Sequence, residues 1–135
     1  MEENPEPNEG WLQYFRRKRK FSDCILLAWS EIEFHIDQVV AKEFGLVYYD
    51  KKAQILLEMN FQKKLVFLKE NGAITKEEFD IIKKFQEYRN KLFHGKQHFF
   101  NLDDKEKDEI MDNAVKAAQL ALDIGFRVPI YQKQP

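Results

Sequence analysis

The sequence predicts an all-α domain, an antiparallel bundle of four to five helices. Three observations point there. The prolines are Pro5, Pro7, Pro129 and Pro135, so none interrupts the chain between Gly10 and Val128. The glycines, Gly10, Gly45, Gly72, Gly95 and Gly125, are spaced about one long helix apart. Between them, apolar residues recur with the helical period, as in Ile25, Trp29, Ile32, Ile36 and Val39. A β-sandwich needs turn residues every 8–12 positions or so, and they are missing here. With 135 residues, 44% of them hydrophobic and 33% charged, the chain can fill one core without disulfides or metals.

Residues 1–10 read as a flexible tail, 11–128 as one helical domain and 129–135 as a C-terminal tail. Trp11 to Lys20 is mixed, with Trp11, Leu12, Tyr14 and Phe15 followed by the basic run Arg16, Arg17, Lys18, Arg19 and Lys20. Ser22 is placed as an N-cap, with Asp23 in the first turn, where a carboxylate suits the helix dipole. One long helix then runs to Phe44 and stops at Gly45. The next segment divides into a short helix near Lys52–Met59 and another near Phe61–Glu70, ended by Asn71-Gly72. Thr75-Lys76-Glu77-Glu78 has the form of a capping box. It opens a helix whose face carries Phe79, Ile82, Phe85, Arg89, Leu92 and Phe93, with Gly95 as its stop. The last helix starts at Asp103-Asp104. Its inner face, Ile110, Ala114, Ala117, Ala118, Ala121 and Ile124, is rich in alanine and lets a neighbour approach closely; Gly125 is its expected end.

Several function classes drop out. Cys24 is the single cysteine, so there is no disulfide framework and no paired-thiol metal site; a reducing, cytoplasmic setting suits it. Uncharged runs are far too short to cross a bilayer, and the acidic N-terminus has no apolar core of a secretion signal. No two glycines lie close enough for a phosphate loop or a dinucleotide fingerprint. His94 and His98 are four apart, but Gly95 breaks the helix between them and no carboxylate or cysteine is near in sequence, so no metal site is expected. Nothing around Ser22 or Ser30 resembles a nucleophile elbow. The net charge of −1 means that nucleic-acid binding must come from a local patch.

The segment that carries chemistry is Tyr88-Arg89-Asn90-Lys91-Leu92-Phe93-His94-Gly95. A guanidinium on or beside an apolar face is costly unless paired. A histidine at a helix C-terminus meets the negative end of the dipole, which favours imidazolium. Asn90 lies one turn below His94 and can orient it or a substrate oxygen. Lys91 and Lys96 add positive charge at the same end. A cation for phosphate, a histidine for protons and an amide for orientation are the parts that transesterification at an RNA phosphodiester needs. Five residues at about 100° each set Arg89 and His94 about 140° apart on an ideal helix. Either the last turn distorts or a second copy completes the site.

At Arg89-Asn90-Lys91-Leu92-Phe93-His94 the sequence resembles the HEPN superfamily, whose motif is arginine and histidine four to six residues apart, here in its Arg-Asn-x-x-x-His form. The resemblance covers roughly Ser22 to Ile124. It implies a helical bundle with the motif late in a helix, and a metal-independent endoribonuclease, often a toxin or defence effector, without cofactor. It implies a homodimer whose two motifs meet at one cleft, with RNA as substrate. Arg89 would contact phosphate, Asn90 support it and His94 act as acid or base. Some members carry an extra acidic residue on the long early helix; Glu33 is the candidate.

Other readings of these residues stay open. Arg89 can pair with Glu33 structurally, and His94 can be a plain helix cap. The Arg16–Lys20 run is either an RNA-tracking patch or a solvated helix face. Phe99-Phe100 is either a base-stacking pair or a loop anchor. Trp29 and Cys24 read as core, and His35 has no assigned role. The rival function is a non-catalytic dimeric adaptor that partners an antitoxin, a nucleotidyltransferase-like protein or another defence protein.

Overall fold

The computed structural model describes residues 4–45, 58–94 and 102–127. Among these the chain forms five α-helices and no strand: α1 Trp11–Arg17, α2 Phe21–Glu43, α3 Phe61–Glu70, α4 Lys76–His94 and α5 Asp104–Arg127. The all-α bundle predicted from the sequence is what forms.

Local chemistry explains most of the boundaries. Asn60 caps α3, its side-chain oxygen accepting from the Lys63 amide at 3.1 Å. The capping box at α4 is reciprocal. Thr75 Oγ1 accepts from the Glu78 amide at 3.1 Å, and Glu78 Oε1 accepts from the Thr75 amide at 2.9 Å. Asp103 and Glu106 repeat the arrangement ahead of α5.

Two boundaries differ from expectation. Ser22 is not a cap: α2 already begins at Phe21, and Lys20, at the cap position, makes no side-chain cap bond. Buried Phe21 starts the helix by packing. The turn before it is made by Arg19 in the left-handed region, φ 56°, a conformation an L-residue adopts at a cost. Gly125 does not end α5, which continues to Arg127. The carbonyl of Gly125 accepts from Lys42 Nζ at 2.8 Å. Arg127 is drawn onto Glu78, at 2.9 Å, and onto the Ala73 carbonyl, at 3.1 Å. The short helix expected near Lys52–Met59 falls largely outside the described residues; Met59 itself lies in a bend.

α2 and α5 form the most extensive helix pair. α2 turns Cys24, Ile25, Ala28, Ile32, Ile36 and Val39 inward, and α5 turns Ala114, Ala117, Ala118 and Ala121 inward, all essentially without exposure. Small residues along α5 let the two axes come close. α4 adds Phe79, Ile82, Phe85 and Leu92, and α3 adds Leu65 and Leu68. No helix among the described residues is long and apolar enough to cross a membrane.

Candidate functional site

The motif occupies the last two turns of α4. Arg89 is half-buried, its guanidinium carbon 4.8 Å from the Trp29 ring centre and 5.4 Å from that of Phe93. Trp29 is braced by Phe61 of α3, edge-on at 4.7 Å, and by Phe85 of α4 at 6.2 Å. Rings from two helices, Trp29 of α2 and Phe93 of α4, therefore hold the cation, and Phe61 of α3 braces the first of them. The Arg89 Nη1 group donates to Asn90 Oδ1 at 3.4 Å, a long bond. Arg89 Nε is buried and has no acceptor among the described residues.

The pair expected between Glu33 and Arg89 is not formed. Glu33 is exposed, and no carboxylate among the described residues forms an ion pair with Arg89. The stripe that α2 buries is Ala28, Ile32, Ile36 and Val39. Trp29 sits on its edge, and Glu33, one turn beyond Trp29, has already rotated into solvent.

The structure gives every other arginine an anion. Arg16 reaches Asp112 at 2.6 Å and Asp108 at 3.5 Å, and the hydrogen bond it donates to Asp112 raises its pKa above the usual arginine value. Arg17 holds Glu9 at 2.8 Å, and that bond brings the Glu9 carboxyl down to about 2. Arg19 reaches Asp108 at 3.3 Å and Asp104 at 3.8 Å. Arg127 pairs with Glu78. The three arginines of the basic run thus act within the protein: Arg16 and Arg19 clamp α1 and the turn after it to aspartates spaced one turn apart on α5, and Arg17 ties down Glu9 before α1. Lys18 is exposed, and the Lys20 ammonium lies 5.9 Å from the Tyr14 ring centre. The sequence signal for the clamp was the i, i+4, i+8 series Asp104, Asp108, Asp112.

Asn90 stands beside Arg89 as expected. Lys91 is exposed and lines a cavity of about 180 Å³ against α5 with Tyr88, Glu106 and Glu109. His94 is the last residue of α4, one turn beyond Asn90; its side chain lies outside the described residues, as do Lys96, His98, Phe99 and Phe100. Among the described residues no three His, Cys, Asp or Glu side chains converge as a metal ion would require. Sequence reasoning placed Phe93 on the face of Arg89 but gave it no role, overlooked Phe61 as the brace of Trp29, and assigned Trp29 only to the core.

The chain matches no family model, no curated protein and no solved structure in the three comparisons made.

Proposed function

We propose that the protein is a metal-independent endoribonuclease of HEPN type, a homodimer that cleaves RNA by attack of a 2′-hydroxyl on the adjoining phosphodiester. One observation carries the reading: Arg89 alone among the five arginines has no carboxylate partner among the described residues, while aromatic rings fix its position. A half-buried guanidinium without a counter-ion is unfavourable in the free protein, and its balance is restored by a ligand that brings the anion. Its planar fork matches phosphate.

In the reaction, the bond from O2′ to phosphorus forms and the bond from phosphorus to O5′ breaks. The products are a 2′,3′-cyclic phosphate and a 5′-hydroxyl. Arg89 offsets the charge that builds on the phosphorane oxygens. Asn90 steadies Nη1 of Arg89. His94 takes the 2′-proton or supplies one to O5′, and a second copy provides the complementary group. The separation of about 140° between the two motif positions favours a composite site. The single cysteine and an RNA substrate both fit the cytoplasm. The Arg16–Lys20 run is not part of this proposal, because its arginines are already neutralised.

The test is cleavage of several RNAs by purified protein, with end-group analysis. His94→Ala should lower the rate by about 10²–10⁴-fold with the fold intact. Arg89→Lys should also be damaging, and EDTA should change nothing. Light scattering should give a dimer. Cleavage that survives both substitutions refutes the proposal. No cleavage by a folded dimer favours the adaptor reading, with an antitoxin or nucleotidyltransferase-like protein as its partner.

A further inference from the structure

We infer that the aromatic surface around Arg89 is a stacking platform for a base of single-stranded RNA, with Phe93 as the ring that receives it. The inference deepens the ribonuclease reading and rests on it for the identity of the ligand. Phe93 is 41% exposed, whereas the inward-facing Phe79, Ile82, Phe85 and Leu92 of the same helix are at most 6% exposed and Ile81 and Tyr88 are partly buried. A large ring left open at the end of a well-buried face is unfavourable in isolation. Most of the other exposed rings have ring partners: Phe44 lies flat on Phe67 at 4.9 Å, Trp11 packs on Tyr14 and Phe15, and Phe34 meets His35 edge-on at 5.3 Å. Phe126, 83% exposed near the end of α5, has neither a ring nor an arginine against it among the described residues. The neighbour of Phe93 is instead the one arginine without an anion among the described residues, 5.4 Å away.

That pairing of groups matches one nucleotide. Its phosphate would take the Arg89 fork, while the adjoining base reaches the Phe93 ring. Every base has a π-face, so the platform tolerates sequence, and stacking gives affinity where phosphate contact alone gives little selectivity. Bases in a duplex are stacked on each other and cannot reach a side-chain ring without unpairing. The substrate class is therefore single-stranded RNA, loops and unpaired ends included. Trp29 takes no base. Its place beneath the guanidinium orients the fork, which makes it a positioning residue and a reporter for the site.

The test uses the His94→Ala protein, so that RNA remains intact, and measures binding by anisotropy of an end-labelled single-stranded RNA, an abasic oligomer of equal length and a duplex. Trp11→Phe in the same background leaves Trp29 as the sole indole, and its emission follows ligand arrival. Phe93→Leu should weaken single-stranded RNA by about 5–150-fold and leave the abasic oligomer unchanged. Phe93→Tyr should restore the affinity, which a merely structural role for the ring in folding would not separate by ligand. The duplex should bind no better than the abasic oligomer. Equal affinity of the parent and Phe93→Leu for single-stranded RNA, equal affinity for duplex and single strand, or no saturable binding at all would overturn the platform. Binding that depends on Phe93 in a protein that cleaves nothing would refute the nuclease and leave the platform standing. Cleavage with a KM indifferent to Phe93 would do the reverse.

Discussion

Lys64 joins α3 to α2 from inside the molecule. It is 6% exposed, and its ammonium donates to Asp37 Oδ1 at 2.8 Å. Lys64→Met keeps the length and apolar stem of the side chain while leaving the Asp37 carboxylate without its cation. Removing one partner of a buried pair costs about 3–5 kcal/mol. The Asp37 side chain is 16% exposed and keeps some water, so the lower end, about 3 kcal/mol, applies. With an unfolding entropy of about 2.1 cal/mol/K per residue, a chain of this size then melts about 10 °C lower. Urea denaturation and calorimetry measure the loss. Changing both partners, Lys64→Met with Asp37→Leu, removes the stranded charge as well and should recover most of the stability. The effect should reach the candidate site, because α3 also carries Phe61, which braces Trp29 under Arg89. A single variant that melts within about 2 °C of the parent, or a double variant less stable than the single one, would refute the reasoning.

Other outcomes follow from the same packing. The Glu78 carboxyl lies below its ordinary range, first through the hydrogen bond from Arg127 and then through the α4 cap. A depressed carboxyl stabilises the fold above its unfolded pKa of 4.5, and the contribution is lost as pH falls from there through the lower folded value. Glu78→Gln should flatten that part of the acid-stability curve. The Cys24 thiol is fully buried, and burial pushes it up to about 11. It should therefore resist a thiol reagent at pH 8 until the protein unfolds, whereas rapid labelling of folded protein would contradict its placement. Ala121→Leu overfills the α2–α5 seam and should cost about 1–3 kcal/mol in denaturant titration, more if the helices cannot separate.

What the sequence made legible was the chemistry that acts within a turn or two. The Thr75–Glu78 box, the 3.6-residue stripes and the alanine face of α5 all depend on neighbours a few positions apart. Ser22 and Gly125 misled because both are only local preferences. At Ser22 a buried phenylalanine one residue earlier prevailed, and at Gly125 bonds from Lys42 and Arg127 carried the helix onward. The motif on α4 was readable as a string. The isolation of Arg89 was not, since a missing ion pair depends on where carboxylates of other helices fall. Glu33 looked suitable by spacing, yet the offset of about 40° that four residues accumulate beyond a full turn was enough to take it into solvent. Likewise the five cations from Arg16 to Lys20 read as either a patch for polyanions or a solvated face, and neither reading placed the aspartates of α5 beside Arg16 and Arg19.

The alanine-lined seam also sets an order of events during synthesis. α2 and α4, which carry Trp29 and Arg89, meet each other far less than each meets α5. Their relative placement is therefore fixed by a helix that the ribosome makes last of the five. At about 5–20 residues per second, the chain from Glu43 to Arg127 takes roughly 4–17 s to appear. Through that interval the apolar stripe of α2 is without its partner and open to chaperones, and the cradle of Arg89 cannot be held in its final form. On the proposed ribonuclease reading, a nascent chain is inert toward RNA at the ribosome that makes it, and activity arrives only as α5 docks.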